Sequence, residues 1–149
     1  MKNVPNEPVW NGQVSGELSW RSFLTEGRAF HKTLQGSLKR PEVFNPLIVQ
    51  NIAAMAIEKY FMAIFMHRGL MPMNHTMTDF LTEAKLFLTL PPQLEETLLY
   101  MDVLQQICSL DHFQITPPTD RDIPRFLEAA DLVAELAHME LKHATNNDF

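Results

Sequence analysis

The sequence predicts an all-α protein, an up-and-down bundle of four to five helices. Three observations carry this. Apolar residues recur at helical spacing through two long segments. A further segment, residues 46–68, is apolar nearly all round, which marks a central bundle helix. Prolines at 41, 46, 72, 91, 92, 117 and 118 punctuate the gaps between segments, and no stretch reads as a strand.

The first helix is expected over residues 16–38. Trp20, Phe23, Leu24, Gly27, Phe30, His31, Leu34 and Leu38 share one face. Glycine at position 27 costs about 1 kcal/mol relative to alanine, and the expected return is close approach of a neighbouring helix. The second helix is expected over 46–68. Asn45 is a good N-cap and Pro46 suits the first turn. His67 and Arg68 suit the negative end of the helix dipole, and Gly69 can stop the helix. In its middle stand Glu58 and Lys59. Being adjacent, they point about 100° apart. Lys59 can run its stem along apolar surface, whereas Glu58 needs a partner if buried.

A short third helix is expected over 76–88, with Met77, Phe80, Leu81 and Ala84 inward. The fourth spans 92–113, led by Leu94, Leu98, Met101, Leu104 and Cys108. The fifth spans 121–144. Its stripe is Ile123, Phe126, Leu127, Ala130, Val133, Ala134, Ala137 and Leu141. Leu132, Leu136 and Met139 form a second stripe about 180° away. Either this helix is sandwiched inside the domain or the second face meets another subunit. The expectation is the subunit contact, with Leu132, Leu136 and Met139 at a dimer interface.

The chain of 149 residues is long enough to bury a core as one domain, expected as an N-terminal arm over 1–15 and a bundle over 16–149. A net charge of −6 argues against broad binding to nucleic-acid phosphates. Cys108 is the only cysteine, so no internal disulfide forms, which points to the cytoplasm. Residues 1–16 hold no apolar run, so no signal peptide is expected. Residues 47–66 are about long enough to span a bilayer, but Gln50, Asn51, Glu58 and Lys59 lie inside them. They read as a buried helix, with no membrane contact.

The run "NIAAMAIEKYFMAIFMHRGLMP", followed by "NHTMTDFL", resembles the core of the HEPN domain (higher eukaryotes and prokaryotes nucleotide-binding). The matching residues are Ala53, Ala54, Glu58, Lys59, Ala63, Gly69, His75, Met77 and Phe80. The segment "DIPRFLEAADLVAELAHMEL" is similar to that family's closing helix, and the resemblance spans residues 17–143. It implies a HEPN-like bundle that pairs into a homodimer. Members include metal-independent ribonucleases of toxin–antitoxin systems and companions of minimal nucleotidyltransferases. The ribonucleases need an arginine followed four to six residues later by a histidine near the closing helix. Arginine neutralises the scissile phosphate there, and histidine moves a proton during attack by the 2′-hydroxyl. Here Arg121 and Arg125 have no such histidine, and His112 precedes them. The formal match, Arg68 with His75, lies in the wrong link.

The resulting expectation is a non-catalytic HEPN-like homodimer that binds a partner protein, a nucleotide-type ligand or RNA, with no cofactor. A metal-independent ribonuclease with a degenerate Arg/His site and a metal-binding helical bundle are the alternatives. The ligand-binding candidates are Lys59, His67, Arg68, His75, His112 and Arg121. Lys59, His67 and Arg68 form a cluster able to attract phosphate, against dipole complement and solvated charge. His75 precedes Thr76-x-x-Asp79, a capping-box pattern, and reads as part of a cap. His31 reads as a hydrogen-bonded core histidine, Cys108 as inert core. The methionines around the second helix read as adaptable core filling or a pliable binding surface. Glu135 with His138 and Glu140 with His143 have the Glu-x-x-His spacing of di-iron bundles, but both pairs lie on one helix about 140° apart, so no metal site is expected.

Overall fold

Among the described residues five helices follow in chain order: α1 Gly12–Ser37, α2 Pro46–His67, α3 Met77–Ala84, α4 Pro92–Leu104 and α5 Ile123–Asn146. This computed structural model describes residues 12–105 and 117–146, with side chains over 20–105 and 117–142. No strand occurs among the described residues. The protein is an all-α helical bundle.

The ends of α2 form as its sequence directs. Asn45 accepts a hydrogen bond from the Ile48 amide at 3.0 Å, and Pro46 occupies the first turn. At the other end Gly69 takes φ 72°, a conformation that costs glycine little. The Leu70 amide then donates to the Phe65 carbonyl at 2.8 Å and the Gly69 amide to Met66 at 3.0 Å. This paired closure satisfies carbonyls that a helix otherwise leaves open.

α2 packs mainly on α1 and α5. Tyr60, Phe61, Ile64 and Phe65 are buried along it. The rings of Phe61, Phe65 and Phe80 stack at 5.6–6.0 Å, joining α3 to α2. α2 is long and apolar enough to cross a membrane, and 61% of its most apolar window is buried inside this fold. Trp20 meets His67 edge-on at 5.4 Å, whereas Gly27 lies against Tyr60, so α1 and α2 are antiparallel. Bonds from His31 to Asp131 and from Arg28 to His138 make α1 and α5 antiparallel too. α3 runs against α4, because Asp102 accepts from the Met77 and Thr78 amides while Lys85 reaches Glu95.

Some boundaries differ from expectation. α1 starts at Gly12, inside the expected arm. The start expected at residue 16 is passed because one glycine costs only about 1 kcal/mol, which a helix of 26 residues absorbs. α3 ends at Ala84, not 88, because Leu86 and Phe87 bond three residues back and tighten the chain into a turn. That turn lays Phe87 edge-on to Phe65 at 5.9 Å. α4 ends at Leu104, with Gln105 as its C-cap. Cys108 and His112 lie outside the described residues.

α5 carries one wide apolar face. Ala129, outside the expected stripe, is fully buried beside Phe126, Ala130 and Val133, which widens the face toward Leu132 and Leu136. Each of those leucines sits about 60° from Ala129 or Val133, three residues away. Both are partly buried against their own core. Only Met139 of the three stands out, at 73% exposure. Two side chains assigned to a twin molecule are therefore already partly covered by their own chain.

Candidate functional site

The central charges of α2 both find partners at the rim of the core. His75 Nδ1 lies 2.8 Å from Glu58 Oε1. The Lys59 ammonium lies 2.9 Å from Glu26 and 5.2 Å from the Phe23 ring centre. Arg68 donates from Nε at 3.1 Å and from Nη2 at 2.7 Å to one oxygen of Glu140. Its guanidinium also covers the Phe87 ring at 4.1 Å. Two of the expected ligand-binding cations, Lys59 and Arg68, are thus matched by carboxylates of the same chain, and His75 is hydrogen-bonded to a third. A phosphate arriving there has to displace an existing partner. Electrostatically that is a poor anion site, since the local charge is already balanced.

The remaining candidates are scattered. His67 is exposed and spends its ring on Trp20. Arg121 is exposed in the turn before α5. His75 does not cap α3. Thr76 does, accepting from the Asp79 amide at 3.1 Å, while its hydroxyl donates to the Asp79 carboxylate. Asp102 supplies a second cap from α4. The His75 ring is free to turn to Glu58 because the threonine hydroxyl already fills the capping position.

A second polar network was not assembled by sequence reasoning. His31 Nε2 lies 2.6 Å from Asp131 and Nδ1 lies 2.9 Å from the Tyr60 hydroxyl. With Nε2–H donating to the carboxylate, Nδ1 accepts from the phenol. His138 Nδ1 donates to the Ala134 carbonyl at 2.6 Å, which leaves Nε2 to accept from Arg28 at 3.2 Å. His31 was expected to be a hydrogen-bonded core histidine, and it is bonded at both nitrogens with its side chain 13% exposed. The missed signal was spacing: Arg28 and His31, and Asp131 and His138, each share a helix face at three- and seven-residue intervals. Burial raises the Tyr60 pKa, with Arg28 opposing and Asp131 adding to the rise. Tyr60 therefore stays a neutral phenol. It is 1% exposed and cannot reach a substrate. No nitrogen of either histidine is left over to act as a base. The network staples α1 to α5.

Tyr100 donates to Asp122 at 2.9 Å, and Asp122 also accepts from the Thr119 amide at 2.8 Å. Burial and this bond raise the Tyr100 pKa. The Asp122 carbonyl accepts from the Phe126 amide at 3.1 Å, opening α5. One polar side chain in the core is unsatisfied: both amide atoms of Gln50 lack a partner among the described residues.

Two of the Glu-x-x-His donors are committed elsewhere, Glu140 to Arg68 and His138 to Ala134 and Arg28, and the side chain of His143 lies outside the described residues. Among the described residues no three of His, Cys, Asp or Glu gather into a metal-holding group. Compared with known proteins, the chain matches no family model, no curated protein and no solved structure.

Proposed function

We propose that this chain is a non-catalytic, HEPN-like helical module that works as a homodimer and binds a partner protein. A toxin–antitoxin-like or nucleotidyltransferase-associated setting suits such a module. The observation that supports binding over catalysis is the pairing of Lys59, Arg68 and His75 with Glu26, Glu140 and Glu58. A nucleotide-type ligand meets a neutralised charge at Lys59 and at Arg68.

The surface that supports a protein partner lies where α2 ends. Arg68 over Phe87 brings the link after α3 beside the link after α2. Leu70, Met71 and Leu86 are 42%, 67% and 84% exposed on these two links. Exposed apolar side chains on neighbouring links suit protein recognition.

An RNA cleavage assay tests the reading. Purified wild type is expected to leave single-stranded and structured RNA intact, as are Arg68→Ala and His75→Ala. Cleavage by wild type that disappears in His75→Ala would overturn it in favour of a displaced Arg68–His75 ribonuclease site.

A further inference from the structure

We propose that Met71, Met73 and His75 form a binding site for a soft monovalent metal ion, Cu(I) in the first instance. The three residues alternate in "MPMNH", with one residue between successive donors. They occupy the non-helical link between α2 and α3. Both ends of that link are pinned. The Leu70 amide is tied to Phe65, Thr76 caps α3, and Asp102 holds the Met77 and Thr78 amides.

The thioethers face water. Met71 is 67% and Met73 88% exposed, so neither serves the core. Methionine side chains have three rotatable bonds, enough for two of them to converge on one ion. The imidazole is already oriented. Nδ1–H of His75 donates to Glu58 at 2.8 Å, and the ring packs at 5.6 Å on Phe80. In the neutral ring this bond places the proton on Nδ1 and the lone pair on Nε2, which takes no hydrogen bond among the described residues. A carboxylate behind a histidine is the arrangement that sharpens a histidine as a metal ligand. The side chain is 46% exposed, so the ring is accessible from solvent.

The donor set decides the ion. Two thioethers and one imidazole are soft to intermediate ligands. They suit Cu(I), whereas Mg²⁺ and Ca²⁺ require oxygens. Zn²⁺ sites are built from thiolates, imidazoles and carboxylates, not thioethers.

The test is an anaerobic Cu(I) titration of the full chain against a chromogenic Cu(I) chelator. It is run in a Cys108→Ser background, so that the lone thiol does not hold the metal. One Cu(I) per chain is expected to leave the chelator. Ag(I), a redox-inert substitute, is expected to shift the methyl resonances of Met71 and Met73 and the ring signals of His75, but not the Met139 methyl. The variant Met71→Leu/Met73→Leu is expected to remain helical by circular dichroism and to lose stoichiometric binding. Glu58→Gln is expected to weaken binding by about 10–100-fold through His75. Retention of all Cu(I) by the chelator overturns the proposal. Equal binding by the double methionine variant does so too, as does loss of binding on Cys108→Ser alone.

Discussion

Gly27 and Gly36 lie on the same helix, and replacing each with alanine is expected to change stability in opposite directions. A Cβ at Gly27 meets Tyr60 Cδ1 at 3.1 Å, Cε1 at 3.2 Å and Cγ at 3.3 Å. Carbon atoms prefer about 3.5–4.0 Å, so the ring must retreat by a few tenths of an ångström. Tyr60 has little freedom to do so. It is 1% exposed, and its hydroxyl is bonded to His31 on α1 itself. Crowding of a packed core costs about 1–3 kcal/mol, offset by about 1 kcal/mol of helix propensity. Gly27→Ala is therefore expected to lose about 1 kcal/mol. At Gly36 nothing lies within 4 Å of the added methyl. Gly36→Ala keeps the propensity gain, up to about 1 kcal/mol near a helix end. The two variants should differ by about 2 kcal/mol, or roughly 6 °C in Tm for a chain of this size. Thermal and urea unfolding followed by circular dichroism measure the difference. Equal stabilisation by both substitutions would refute the close approach of α1 to the Tyr60 ring.

Other perturbations test separate parts of the argument. Gln50→Met replaces a buried, unpartnered amide with an apolar chain of similar shape, and urea unfolding should show a gain of about 1–3 kcal/mol; a loss would mean that the amide is satisfied. The Tyr60 pKa is raised by burial above the ordinary value of about 10, so its contribution is complete below pH 10. It declines as pH climbs through the folded value, because the unfolded chain ionises first. Tyr60→Phe should flatten this alkaline loss, leaving the part due to Tyr100, while costing about 1 kcal/mol at neutral pH for the bond to His31; an unchanged alkaline slope contradicts the assignment. Light scattering should report a dimer for wild type and a smaller species for Leu136→Glu. A monomer unaffected by the substitution removes the twin contact from the proposed function.

Local physics made much of the bundle legible. Asn45–Pro46 and Gly69 bound α2 because capping and left-handed closure depend on residues within one turn of each other. Gly27 announced a close approach because little else justifies glycine inside an apolar stripe. The identity of its neighbour, Tyr60, came only with the packing. Periodicity placed His31 on a buried face, but not opposite Asp131, which lies on another helix. The same limit explains the site. Lys59 and Arg68 read as cations in the chain, and their neutralising carboxylates come from α1 and α5; His75 read as part of a cap, and its Glu58 partner comes from a distant turn of α2.

The sequence by itself determined the helical class, the order of the segments and the ends of α2, because periodicity and capping are short-range. Tertiary structure alone decided which charges remained free and how wide the apolar face of α5 became. Leu132 and Leu136 looked like a second flank by angle alone. They sit at the margin of one face because Ala129, between them and the expected stripe, is buried as well. Helix rotation and charge pairing depend on where the neighbouring helices stand, and no single segment carries that information.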